Sequence, residues 1–377
     1  MTTVCILSTA HYTFDPRIFY RESKALADAG YDVTFVTHHP EDETQKGIRI
    51  RSLGSADTRT ERWVDVWSAY RVATELNADV YHFHDPELVP VGILLKLTTD
   101  AKVVYDVHED YDTVITRRDW IPDPVSVPLA KLFPFVQSAF SQPFDAIVPA
   151  TDWIEDQFTE RGHENVHLIR NFPRIGDITI SDPPVEPRAD LTMVYVGSFG
   201  GNHGLMRMID LVEETRERGI DSELWVIGGF NKPSFEANVN DRLERSAHGD
   251  RVQLLGYVDY EDIFSYLSTA DLGLALADKE LYEYCVPNKV FEYLAASTPV
   301  MVTDTVGMRR YLPDDCGFRV DASNTSGQAD IVERFTGNVE GLHKMGENGR
   351  DRVKSEYCWD QEKERLLDLY RGLTGGP

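Results

Sequence analysis

Residues 4–37, VCILSTAHYTFDPRIFYRESKALADAGYDVTFVT, decide the fold. Residues 4–8 form a short apolar, β-branched run that reads as a strand, and 32–37 form a second. Between them, Asp15-Pro16-Arg17 sets an N-cap residue before a proline at the first helical position, and Gly30 supplies the stop. Strand, helix and strand in this order predict a parallel pair joined by a crossover helix. The rhythm continues with strands expected at 79–83, 102–107, 146–149 and 166–169. A polar, proline-rich stretch at 181–188 interrupts it. It restarts with strands expected at 192–196, 223–227, 252–255, 271–276 and 299–303. The expectation is an α/β chain of two doubly wound, Rossmann-like domains, over 1–180 and 191–356. A linker at 181–190 joins them, and ligands bind at the carboxyl ends of the strands, in a cleft between the two sheets. The final segment, 357–377, carries Leu366, Leu367, Leu369 and Tyr370 on a helical stripe, so it either crosses back to the first domain or packs on its own.

Composition narrows the function. The chain has 377 residues, 63 acidic against 38 basic, and a formal charge of −25. So acidic a surface repels phosphate backbones and argues against nucleic-acid partners. The excess is spread along the chain, which suggests a salt-loving source whose counterions screen the self-repulsion. No apolar run approaches the ~20 residues of a membrane-spanning helix. The amino terminus lacks a basic n-region, so a cytoplasmic protein is expected. Cys5, Cys285, Cys316 and Cys358 lie far apart and read as reduced thiols.

Two stretches carry the chemistry. In 195–204, YVGSFGGNHG, a strand ends in glycines and a helix follows. Gly200, Gly201, Asn202 and His203 there suit an anion cradled by main-chain amides, a diphosphate above all, with a plain glycine turn as the alternative. In 283–294, EYCVPNKVFEYL, Pro287 starts a helix with Asn288 and Lys289 in its first turn and Glu292 one turn on. A cation at a helix N-terminus is poor design unless an anion binds there. Glu292 can then accept hydrogen bonds from a vicinal diol such as a ribose. An ordinary amphipathic helix is the alternative.

In the first domain, His82 and His84 flank Phe83, so both point to one face of a strand, and His108 stands at the carboxyl end of another. Each is either a sugar-binding or proton-moving group or a structural histidine. Their spacing from carboxylates defines no metal site. Asp85 before Pro86, and the acidic run 259–262, read as helix caps. Residues 120–144 are rich in large apolar groups and prolines, with Lys131 alone basic. They form either a buried interdomain lid or a membrane-facing surface.

Together these stretches resemble the GT-B-fold glycosyltransferases, and among them the retaining group called family 4. The resemblance spans nearly the whole chain. It rests on Asp15-Pro16-Arg17, the run YHFHDP at 81–86, VHED at 107–110, the glycine loop at 197–204, PNKVFEYL at 287–294 and YCWD at 357–360. It implies transfer of a hexosyl group from a nucleoside-diphosphate sugar to an acceptor hydroxyl of a glycan or lipid-linked saccharide, with retention, by front-face substitution. The donor would lie on Gly200, Gly201, Asn202, His203, Asn288, Lys289 and Glu292. His108 would act beside the reacting sugar, with Asp15, Arg17 and His84 on the acceptor side. Neither a metal nor a cofactor is implied. Glu292 matches the second of the family's paired glutamates, but Tyr284 occupies the place of the first. Glu283, one position out of register, is its stand-in. Ser198 and His203 replace the family's basic pair. The rivals are a nucleotide-sugar epimerase or sugar phosphorylase on the same fold, and a non-catalytic nucleotide-sugar-binding relative. Peripheral contact with the inner membrane face through 120–144 is also expected.

Overall fold

The computed structural model describes the chain apart from residues 55–58, 109–122, 179, 182, 184 and 261. Glu109 and Asp110, Trp120 and Ile121, Asp182, Pro184 and Glu261, all used in the sequence reading, lie outside the described residues. The chain divides into two compact units. One is Met1–Asn171 with Trp359–Pro377, the other Phe172–Cys358.

The first unit is built on seven strands: β1 (Thr3–Leu7), β2 (Asp32–Thr37), β3 (Glu43–Gln45), β4 (Ile48–Ser52), β5 (Val80–Phe83), β6 (Lys102–Val107) and β7 (Ala146–Pro149). Their order is β3-β4-β2-β1-β5-β6-β7, and every pair but β3–β4 is parallel. Alternation on β1 sends Val4 and Ile6 into one apolar cluster and Cys5 and Leu7 into another, as a sheet covered on both faces requires. β3 and β4 are absent from the sequence reading because exposed Arg49 and Arg51 break the apolar run of buried Ile48 and Ile50. Residues 166–169, expected as a strand, form only a bridge between Val166 and Ile147. Beyond β1, Asp15 caps the next helix, accepting from the amides of Arg17 at 2.8 Å and Ile18 at 3.0 Å. That helix winds with wide π-type turns over Pro16–Ser23 before tightening to α over Lys24–Asp28.

The second unit holds β8 (Leu191–Val196), β9 (Ser222–Ile227), β10 (Val252–Gly256), β11 (Leu272–Ala275), β12 (Val300–Thr303) and β13 (Gly317–Val320). All pairs are parallel, in the order β10-β9-β8-β11-β12-β13. The division between units falls at 171/172, ahead of the expected boundary at 180, because Phe172, Ile175 and Ile178 pack on the second unit's apolar core. The Trp359–Thr374 helix belongs to the first unit. Its Trp359, Leu366, Leu367, Leu369 and Tyr370 share a cluster with Val4, Ile6 and Phe35.

Both sheets change direction once. The chain runs outward from β1 to β2 and β4, then returns to place β5 on β1's other side. It repeats this with β8, β9, β10 and then β11. The loops after β1 and β5, and those after β8 and β11, therefore meet at topological switch points, where such sheets hold their ligands.

The Asp123–Ser141 helix is amphipathic in an inverted sense. Gln137 and Ser138 face inward, where Gln137 Nε2 donates to the Tyr105 hydroxyl at 2.7 Å and Ser138 Oγ meets His163 Nε2 at 3.0 Å. Leu132, Phe135 and Phe140 are 58%, 63% and 54% exposed. Among the described residues no helix is long and apolar enough to cross a membrane.

Candidate functional site

At the first unit's switch point, the β1 loop closes over Asp85. Expected as a cap, the Asp85 side chain makes no capping bond. One of its oxygens accepts from Ser8 Oγ at 2.9 Å and from the amides of Thr9 and Ala10 at 2.6 and 3.1 Å; the other meets His11 Nδ1 at 2.9 Å. Burial pushes this carboxyl up, but the His11 and amide contacts outweigh it and hold it at about 2.

Asp106 plays the matching part on β6. Arg17 grips it with Nε at 3.2 Å and Nη2 at 2.5 Å and spends a third donor on the Ile169 carbonyl at 2.9 Å. His108 Nδ1 lies 2.9 Å from the same carboxylate, and His108 Nε2 lies 2.9 Å from His11 Nε2. Burial opposes the Asp106 charge, yet Arg17, His108 and His84 hold it well below the ordinary carboxylate range. Beneath this layer His82 and His84 stack at 4.8 Å, on the one strand face the sequence predicts. Burial depresses both rings, so they are neutral. His82 Nδ1 meets the Tyr370 hydroxyl at 2.9 Å, tying the last helix to this cluster.

Glu22, His82, His84 and Asp106 bring ligand atoms within 4.8 Å of one another, close enough to surround a cation. The protein already supplies one. The Arg17 guanidinium stands 3.0 Å from Glu22 and is paired with Asp106. A further dication there would face a fixed positive charge in a low-dielectric interior. Burial also pushes the Glu22 carboxyl well above its usual range despite Arg17.

At the second unit's switch point, the backbone turns sharply after β8. Gly197 has φ +137°, and a Cβ there would lie 2.7 Å from Lys289 Nζ. Gly204 has φ +88°, and a Cβ there would lie 2.0 Å from the Leu276 carbonyl oxygen after β11. Only glycine lets the two loops close so tightly. The Asp278 amide donates to the Asn202 carbonyl at 2.9 Å, joining them again. Lys289, in the first turn of the Asn288–Ala295 helix, sits 4.0 Å over the Tyr195 ring. Burial lowers its amine to about 8, with Glu292 and Cys285 opposing. The Tyr293 hydroxyl accepts from the Val196 amide at 2.9 Å, anchoring the helix to the strand end.

The structure thus gathers Gly200, Gly201, Asn202, His203 and Lys289 around one switch point, with Asn288 and Glu292 on the helix that carries Lys289. Glu283 caps a short preceding helix, its carbonyl accepting from the Gly307 amide at 3.0 Å, while Tyr284 is exposed. Arg17 and His84, expected on the acceptor side, are 3% and 0% exposed and lie beneath the surface. Asp15 is a helix cap. Asp262, read as a cap, makes no capping bond. His11, Glu22 and Asp106 were missed. Only the alternation placing Asp106 two residues before His108 hints at them.

Two largely parallel sheets, each reversing its strand order once, form a doubly wound scaffold. Residues 17–171 match the glycosyl transferase 4-like domain, and 190–338 match the glycosyl transferases group 1 domain. The chain is a glycosyltransferase of the GT-B fold. Sucrose-phosphate synthase from Thermosynechococcus elongatus is similar over 100% of both chains, at 18% identity and TM-score 0.80. Anabaena Alr3699/HepE, solved with UDP-glucose, is similar over 99% of this chain and 100% of its own, at 12% identity and TM-score 0.74. A glycosyltransferase from Rickettsia africae ESF-5 is similar over 99% of this chain and 98% of its own, at 13% identity and TM-score 0.74. No curated protein matches the sequence.

Proposed function

We propose that the chain transfers a hexosyl group from a nucleoside-diphosphate sugar to an acceptor hydroxyl with retention, the second unit holding the donor and the first the acceptor. The observation that carries this reading is the partly buried Lys289 ammonium under the Gly197 turn at a helix N-terminus. An amine is placed where positive potential already exists, and a diphosphate resolves the conflict. The similar HepE fold holding UDP-glucose supports a donor of that class. Thermal shifts with UDP-, GDP- and ADP-sugars in molar salt test it, followed by NMR of the product's anomeric configuration. One donor family stabilises the protein and gives a retained product. No shift with any of the three contradicts the proposal.

Glu292 binds the donor ribose in this reading. Glu292→Ala is expected to weaken nucleotide binding by ~1–3 kcal/mol, read by calorimetry, while the folded protein keeps its melting temperature. Unchanged affinity removes the role. Tyr284, exposed where the first of the paired glutamates is expected, favours the rival reading of a non-catalytic binder. Nucleotide binding without sugar release across a panel of acceptors supports that rival.

The exposed apolar face of the Asp123–Ser141 helix suits a lipid-linked acceptor, with the protein resting on a membrane surface. Flotation with anionic liposomes is expected to recover the wild type in molar salt. The doubly substituted Leu132→Ser, Phe135→Ser protein stays at the bottom. Wild type that fails to float at any salt concentration rejects membrane contact.

A further inference from the structure

Four groups stand in a line at the first unit's switch point: Asp85, His11, His108 and Asp106. Each successive pair is 2.9 Å apart, through Asp85 Oδ1–His11 Nδ1, His11 Nε2–His108 Nε2 and His108 Nδ1–Asp106 Oδ1. A carboxylate accepts and cannot donate, so both Nδ1 atoms carry their hydrogens. Ser8 does not change this, because its hydroxyl donates to Asp85 at 2.9 Å. In a neutral imidazole with hydrogen on Nδ1, Nε2 is a bare lone pair. Two such lone pairs at 2.9 Å repel; one added proton turns the contact into a hydrogen bond.

We infer that His11 and His108 hold one proton between their Nε2 atoms, which makes His11 a positioning residue that holds a single positive charge on the pair, and so beside His108, at the carboxyl end of the sheet. The surroundings suit a single charge. Asp85 and Asp106 flank the pair, and the rings are 19% and 13% exposed, against 0% for both carboxylates. Arg17 and Glu22 face Asp106 from the Pro16–Ser23 helix, and Asp15 caps that helix. His84 lies 5.8 Å from His108 between ring centres, with neutral His82 behind it. Arg17 is paired with Asp106, and Asp85 faces His11 at the other end of the line. The last proton leaves with difficulty, since its loss restores the lone-pair clash. A second is refused, since two imidazolium rings would then meet.

The kinetic half of this inference rests on the proposed transfer reaction, in which His108 meets the sugar; the proton itself does not. The test is an NMR titration of the full-length protein labelled with 15N-histidine, from pH 5 to 10, paired with pH profiles of sugar transfer. Wild type is expected to show two rings whose Nε2 signals move together and keep one proton at pH 7.5. In His11→Gln, whose amide holds the contact without titrating, that joint signal disappears. The alkaline fall in kcat moves down by a pH unit or more, about tenfold less activity at pH 8, while KM for the donor holds. Two wild-type rings that titrate independently at the ordinary value overturn the shared proton. A His11→Gln profile superimposed on wild type overturns the positioning role. A shared proton in a protein that transfers no sugar supports the pair and contradicts the transfer reading instead.

Discussion

Asp106→Ala is expected to destabilise the first unit by about 3–5 kcal/mol, the usual consequence of leaving one partner of a buried ion pair uncompensated. Arg17 is 3% exposed and would keep the Ile169 carbonyl and Glu22, whose carboxyl burial pushes well above its usual range. His108 would lose the acceptor that fixes its ring. The effect should reach the last helix, because Tyr370 is tied to His82 in the same cluster. Urea unfolding followed by fluorescence checks this. Arg17→Met, Asp106→Leu, which removes both charges at once, should recover much of the loss. A single Asp106→Ala variant as stable as wild type means the pair contributes little, and the account of this core is wrong.

Lys289→Ala is expected to lower kcat about 10²–10³-fold, the usual loss when one preorganised donor is taken from a developing anion. The melting temperature should hold, because the variant removes a buried amine instead of breaking an ion pair. Lys289→Arg should restore little, since a Cβ at Gly197 would already be 2.7 Å from the lysine nitrogen and a guanidinium needs more room. The wild type should also show the lysine in its pH dependence. Burial lowers the amine to about 8, so it is charged below that pH and loses its charge above it. Donor affinity is then expected to fall by up to about tenfold per pH unit above 8, as binding must recover the proton. In Lys289→Ala the same range should be flat. A melting temperature that collapses while nucleotide affinity stays constant would make Lys289 a core strut.

Most of the parallel strands were legible because both of their faces are buried, so they stand out as apolar runs, but β13, with Phe318 and Arg319 half-buried, was not read. Lys102–Val107 and Ala146–Pro149 match to the residue. β4 escaped because its arginines alternate with isoleucines, the pattern of a strand with one wet face. The glycine loop and Lys289 were visible as local motifs, since their geometry is set within a few residues. The Asp85–His11–His108–Asp106 line was not. His11 and Asp85 are 74 positions apart, and the switch in sheet order alone brings their loops together. Asp85 is instructive: beside Pro86 it has the local mark of a cap, and its carboxylate went to a distant loop that offered two amides, a hydroxyl and an imidazole.

The most direct measurement is a crystal structure of the full chain with a bound nucleoside-diphosphate sugar. The account predicts the diphosphate within hydrogen-bonding distance of the Gly200 and Gly201 amides, Lys289 Nζ drawn off the Tyr195 ring onto a phosphate oxygen, and the ribose diol on Glu292. A nucleotide bound elsewhere, with Lys289 still resting on Tyr195, contradicts it.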